Sequence, residues 1–93
     1  VTVTIDFGDT QKTYADISAS NAYLALVEAA QTDKLAVKSH QSLGGIAVDG
    51  VGDFLTSTTY EWTFTVNGKT SAFADKTDIV GGNTVVWKYE KKK

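Results

Sequence analysis

Apolar and polar residues alternate strictly over the first seven positions of the chain. Residues 1–7 read VTVTIDF, so every second side chain is hydrophobic and all of these fall on one side of an extended backbone. This pattern predicts a half-buried strand. Residues 8–10 (GDT) are a turn signal, and residues 11–17 predict a weaker second strand that completes a hairpin.

Two further strands are clear in the last third of the chain. Residues 60–66 (YEWTFTV) and 84–90 (TVVWKYE) both alternate, with aromatic side chains on one side of each. Asn67-Gly68 follows the first of them and predicts a type I′ hairpin turn, which needs positive φ at both central positions. Residues 81–83 (GGN) predict another turn directly before the last strand.

One segment has a helical period. Residues 21–32 (NAYLALVEAAQT) are rich in Ala and Leu, and their apolar positions recur at i, i+3, i+4 and i+7. The predicted buried face consists of Tyr23, Leu26, Val27 and Ala30. Ser18 or Ser20 is predicted to cap the start of the helix, because a hydroxyl can accept a hydrogen bond from a free N–H of the first turn.

The order of elements predicts the fold class. In the middle third, residues 35–37 and 45–48 predict short strands and residues 49–53 a glycine-rich loop. Hairpin, helix and then several strands indicate an α+β fold of the β-grasp kind, with one helix packed on a mixed four- to five-stranded sheet. In such folds the first and last strands commonly pair at the centre. We expect a single domain over residues 1–90, with 91–93 as a lysine tail or linker start.

Composition excludes several classes of protein. A chain of 93 residues without cysteine has no disulfide framework, thiol nucleophile or cysteine zinc site. All nine basic residues are lysine and the net charge is −2, so we expect no nucleic-acid partner. No run of 18 apolar residues exists, and no membrane insertion is expected. Because the chain starts at Val1 without Met, we expect a processed or excised, monomeric module of a longer protein.

No constellation of residues predicts catalysis or a metal site. His40, the single histidine, has no nucleophile motif around it and is predicted in a polar loop or at a strand end. Asp75 and Asp78 are predicted as turn and cap residues rather than an acid–base pair. The acidic, glycine-rich residues 49–53 lack calcium-loop spacing and have Tyr60 where the bidentate Glu is needed. We therefore expect no enzyme, no catalytic residue, no metal and no required cofactor.

The aromatic residues give the strongest indication of a ligand. The parity of their strands predicts that Trp62, Phe64, Trp87 and Tyr89 face the core. Phe73 differs, because it lies in a polar segment and an apolar ring on a loop tip can contact a ligand or a partner. The alternative is that the ring folds back and covers the end of the sheet. The predicted ligand-binding residues are Phe73, Ala74, Ser71 and Tyr60.

Much of the chain resembles a known family. Residues 60–69 (YEWTFTVNGK) and 74–90 (ADKTDIVGGNTVVWKYE) resemble the strands that close domains of the DUF4430, or transcobalamin C-terminal-like, family. The segments SASNAYLAL and GGIAVDGVGDF lie where that family keeps its helix and middle hairpin, while Asn83 replaces its usual Asp. The resemblance implies a β-grasp-like fold and a secreted or cell-surface bacterial setting, often Gram-positive. In the vitamin-B12 carriers a similar domain forms the smaller half of a clamp around cobalamin.

Two functions remain open at this point. The first is a non-catalytic binding module of a secreted or cell-surface bacterial protein, with cobalamin, another corrinoid or another small molecule as its ligand. Its partners would be other domains of the parent protein, and binding would be weak alone and tighter with a second domain. The alternative is a structural or adhesive spacer of a cell-wall-anchored protein, with no small-molecule ligand. An exposed aromatic patch around Phe73 favours the first function.

Overall fold

The computed structural model describes residues 1–8, 10–70 and 73–91. The elements in chain order are β1 (Thr2–Asp6), β2 (Gln11–Tyr14), α1 (Ala22–Thr32), β3 (Val37–Ser42), β4 (Gly45–Val51), β5 (Phe54–Leu55), β6 (Tyr60–Val66), β7 (Lys69–Thr70), a 3₁₀ helix (Ala74–Lys76) and β8 (Thr84–Lys91). Three parts of the predictions lie outside the described residues: Asp9 at the centre of the first turn, Ser71, and the last two lysines. Most of the predicted lysine tail is therefore not described.

The first and last strands pair at the centre of the main sheet, as the β-grasp prediction requires. The strand order is β2-β1-β8-β6-β7. β1 and β8 are parallel in a register that runs from Thr2 opposite Thr84 to Asp6 opposite Lys88, and the other pairs are antiparallel. The α+β class with one helix on a mixed sheet is confirmed. Asn67 and Gly68 both have positive φ, 51° and 83°, as the predicted type I′ turn needs.

A second sheet was not predicted. Strands β3, β4 and β5 form a three-stranded antiparallel sheet beside the main one. The predicted strand at 35–37 is wrong, since β3 starts only at Val37. The predicted loop at 49–53 is also wrong in its first half, because β4 continues to Val51 and only Gly52 has a positive φ. The alternation in this segment is too short and too polar to show where its strands end.

The helix begins at a different cap from the predicted serines. Asn21, in an extended conformation, accepts a hydrogen bond from the Leu24 N–H at 2.8 Å through its side chain. Asn is as good an N-cap as Ser, so the local rule does not distinguish the two. The completely buried face consists of Ala22, Ala25, Leu26, Ala29 and Ala30. Tyr23 and Val27 are only half-buried, because small alanines rather than large side chains let the helix approach the sheet.

The core lies between the inner face of the main sheet and the layer of α1 and β3–β5. Val3 and Ile5 of β1 and Val85 of β8 are completely buried there. Two indole N–H groups tie the layers together: Trp87 donates to the Ala22 carbonyl at 3.2 Å, and Trp62 donates to the Phe54 carbonyl at 2.8 Å. The second predicted strand ends at Tyr14 rather than at Ile17. No helix in the described part of the chain is long and apolar enough to cross a membrane.

Candidate functional site

A cleft of about 290 Å³ opens between β4 and β6 on the inner side of the main sheet. Trp62, Phe64 and Trp87 from the main sheet line it, and residues 46–49 of β4 form the opposite wall. Phe73 and Ala74 line it from the start of the 3₁₀ helix. We call this the aromatic cleft. It therefore brings together four segments of the chain: β4, β6, the start of the 3₁₀ helix and β8.

Strand alternation explains the aromatic lining. Trp62 and Phe64 have the same parity in β6, and Trp87 lies opposite Phe64 in the β6–β8 register. The rings of Phe64 and Trp87 stack at 4.9 Å between centroids with an angle of 26°. Since all three rings are at most 8 % exposed, they also contribute to the core. The cleft is thus an accessible margin of the hydrophobic core.

Phe73 is half-buried rather than exposed on a loop tip, so the exposed aromatic patch that would favour a ligand over a spacer is not found at this residue. Its ring lies against Gly44 and Gly45 of the β3–β4 hairpin, where a Cβ atom on Gly44 would overlap the ring. The alternative that the ring folds back is therefore closer to the structure. The ring nevertheless lines the aromatic cleft, so folding back and facing a ligand site are compatible at this position.

Asp75 holds the two walls of the cleft in place. Its carboxylate accepts a hydrogen bond from the Ile46 N–H at 2.8 Å, which joins the 3₁₀ helix to β4. Thr77 donates from its hydroxyl to the Phe73 carbonyl at 2.8 Å and closes the same turn. Asp75 was predicted as a turn or cap residue; it lies in the first turn of the 3₁₀ helix, but its carboxylate bonds β4 rather than capping its own helix.

The rim of the aromatic cleft is acidic. Asp49 and Glu61 line it from β4 and β6, and both are half-buried. His40 contacts Asp49 through Nδ1 at 2.7 Å. His40 lies within β3 rather than in a loop or at a strand end, because the pairing of β3 with β4 extends on both sides of it. The pair is exposed, with 57 % of the His40 side chain accessible.

The four predicted ligand-binding residues are only partly brought together. Phe73 and Ala74 line the aromatic cleft. Tyr60 does not, because it stacks on Tyr89 at 5.2 Å with an angle of 13°. Ser71 lies outside the described residues. The sequence did not indicate that Trp62, Phe64 and Trp87 line a cleft. Strand parity predicts that these rings face inward, but it does not predict that the second sheet leaves a gap beside them.

A separate group of titratable residues lies at the C-terminal end of α1. The Tyr14 hydroxyl donates to Asp33 at 2.5 Å, and Lys12 Nζ contacts the same carboxylate oxygen at 3.4 Å. Burial and the Asp33 carboxylate raise the pKa of Tyr14 to about 12. The hydrogen bond from Tyr14, with a further contribution from Lys12, lowers the pKa of Asp33. The described residues contain no cluster of three or more His, Asp or Glu side chains that could hold a metal ion.

No family model and no curated protein match this chain. Among solved structures, it is similar to a crystal structure from Ruminococcus gnavus ATCC 29149, described as that of a candidate metal-binding protein. The TM-score is 0.75 with 21 % sequence identity, and the match covers 99 % of this chain and 96 % of the other. At this identity the similarity establishes the shared fold.

Proposed function

We propose that this domain is a non-catalytic binding module of a larger secreted or cell-surface bacterial protein, and that the aromatic cleft holds its ligand. The observation that carries the proposal is the convergence of Trp62, Phe64, Phe73 and Trp87 on one accessible cleft. Ligand sites are typically concave, mostly apolar and fitted with a few polar groups. The non-catalytic part rests on the sequence, which has no cysteine and one histidine, and on the exposed position of that histidine.

The lining sets the chemistry of the ligand. Trp62, Phe64 and Trp87 are at most 8 % exposed, so a planar or apolar group would lie mainly against the half-buried Phe73 ring. Asp49 and Glu61 at the rim favour a positively charged or hydrogen-bond-donating edge on the same molecule. The volume of about 290 Å³ is at the lower end of the roughly 300–1,000 Å³ typical of small-molecule sites. A compact group therefore fits completely, and a larger ligand enters only by one edge.

A corrinoid is the larger ligand that the family resemblance implies. The corrin ring with its substituents exceeds the cleft, so only a side chain or edge of the ring would enter between Phe73 and Trp62. This domain would then supply one half of a two-domain clamp, with weak binding alone and tighter binding in the parent protein. The sequence motifs quoted above support this proposal.

Calorimetric titration with cobinamide and cobalamin up to millimolar concentration tests this proposal. We expect saturable heat, and an affinity at least tenfold lower in Phe73→Ala because that change removes one lining ring. Leu43→Ala is the matched control, since Leu43 lies on the adjacent hairpin and is fully exposed. No saturable heat, or equal loss in both variants, would contradict a ligand site at the aromatic cleft.

The spacer function is favoured by a different observation. The parallel pairing of β1 and β8 puts Val1 and Lys91 at opposite ends of the central strands. A force pulling these two residues apart loads the hydrogen bonds of that pair in shear, so that many must break together. Single-molecule stretching tests this function. A high unfolding force between Val1 and Lys91 would support a load-bearing role if it is lost when the second attachment point is moved from Lys91 to Val66. Equal unfolding forces for the two attachments would argue against this role.

A further inference from the structure

A second cleft lies at the opposite, β2 side of the main sheet. It measures about 490 Å³, and its apolar lining comes from Phe7, Leu35 and Phe54. The rings of Phe7 and Phe54 contact each other at 4.7 Å between centroids. Lys12 and Lys34 line the same cleft, and we call it the lysine cleft. It has an apolar floor and two cations, a combination different from the acidic aromatic cleft.

Lys34 occupies a backbone position that normally favours glycine. Helix α1 ends in a Schellman motif, in which the Leu35 N–H donates to the Ala30 carbonyl at 2.8 Å and the Lys34 N–H to the Gln31 carbonyl at 3.1 Å. Lys34 therefore has a left-handed conformation with φ 57°. A side chain at this position is strained relative to glycine, as it also is at Asp16 and Asn67.

The charges around the lysine cleft are only partly compensated. The Asp33 carboxylate is engaged by Lys12 and Tyr14. Lys34 and Asp53, which both line the cleft, make no side-chain hydrogen bond or ion pair to any residue in 1–8, 10–70 or 73–91. Both side chains are exposed, so one solvated cation and one solvated anion border the apolar floor of the lysine cleft.

We propose that the lysine cleft is a binding site for a small zwitterion with an aromatic ring, that is, an aromatic amino acid. Phe7 is only 8 % exposed and forms the bottom of the cleft, so the ring would lie against the half-buried side chains of Leu35 and Phe54. The carboxylate would pair with Lys34, and the ammonium group would pair with Asp53. Lys12 adds positive charge on the carboxylate side. This site is distinct from the aromatic cleft, because the two share no lining residue, and the bond from the Trp62 indole N–H to the Phe54 carbonyl lies between them.

Amide chemical-shift titration of the whole domain tests the proposal with three probes: L-tryptophan, indole-3-propionate without the ammonium group, and tryptamine without the carboxylate. We expect saturable shifts at Lys34, Leu35 and Gly52, with L-tryptophan tightest and tryptamine at least tenfold weaker. Equal binding of tryptamine, or shifts confined to the aromatic cleft, would overturn the proposal. Because the shifted amides belong to one cleft or the other, failure of this proposal is distinguished from failure of the proposed function, which concerns the aromatic cleft.

Variants of Lys34 separate a binding role from a structural one. Lys34→Gln should weaken L-tryptophan binding at least tenfold, whereas the same charge change in Lys69→Gln, on the far edge strand β7, should leave it unchanged. Lys34→Gly should raise the urea midpoint of unfolding while it weakens binding, because glycine removes the backbone strain. Unchanged binding in both Lys34 variants would overturn the proposal. Lys34 would then have only a structural role at the C-terminal end of α1.

Discussion

Replacement of Asp75 by alanine is the most direct test of what joins the walls of the aromatic cleft. The carboxylate of Asp75 accepts the Ile46 N–H at 2.8 Å, and this bond joins the 3₁₀ helix to the second sheet. A hydrogen bond to a charged group contributes about 1.5–3 kcal/mol. Since Asp75 is half-buried, we take the lower part of this range and expect Asp75→Ala to lower the free energy of unfolding by about 1.5–2 kcal/mol.

Urea unfolding followed by tryptophan fluorescence measures this change. For a domain of this size about 1 kcal/mol corresponds to roughly 5 °C, so the thermal midpoint should fall by about 8–10 °C. Asp78→Ala is the control, because this exposed carboxylate lies three residues away. Asp75→Asn keeps an acceptor oxygen, so its free energy of unfolding should lie between those of the control and of Asp75→Ala. A loss below about 0.5 kcal/mol in Asp75→Ala would refute the role given to this bond.

Three further predictions concern stability. Leu26→Ala removes a completely buried side chain of α1 and should cost about 3 kcal/mol in chemical denaturation; a cost below 1 kcal/mol would contradict its place in the core. Gly44→Ala should cost about 1–3 kcal/mol, because its Cβ overlaps the Phe73 ring, and a crystal structure of the variant should show that ring displaced. The Tyr14 phenol has a raised pKa in the folded state, so its stabilisation is complete below pH 10 and is lost as the pH rises through about 12. The urea midpoints of Tyr14→Phe and the unmodified domain should therefore converge near that pH, and a constant difference would contradict the assignment.

The opposite sign applies to the partner of Tyr14. The pKa of Asp33 is lowered in the folded domain, so the stabilisation it gives is present above its unfolded pKa and is lost as the pH falls. Acid unfolding of Asp33→Asn should therefore show a smaller dependence on pH than that of the unmodified domain. An identical pH dependence in the two proteins would argue against this interaction.

The strands that alternate strictly were predictable, whereas the middle of the chain was not. Residues 1–7 and 84–90 have one apolar and one polar side, which is enough to indicate a central pair of half-buried strands. The segment that forms β3 is almost completely exposed, so its side chains do not indicate a strand and its backbone pairing with β4 decides the structure. Local pattern cannot show such pairing.

The candidate site was also predictable only in part. Phe73 was singled out because an aromatic ring stood in a polar segment, and it does line the aromatic cleft. Tyr60 shares the parity of Trp62 along β6, but its ring stacks on Tyr89 beside the cleft. The cleft itself depends on the gap between two sheets, and no residue pattern within a single strand indicates such a gap.

The most direct test of the central claim uses the two tryptophans as reporters, because both line the aromatic cleft and the chain has no others. The measurement is the ¹H–¹⁵N spectrum of the domain titrated with cobinamide. Our account predicts saturable shifts of both indole N–H signals together with the amides of Ile46, Phe73 and Ala74. Saturable shifts elsewhere with these signals unchanged, or no shifts at millimolar ligand, would contradict the assignment of the aromatic cleft as the binding site.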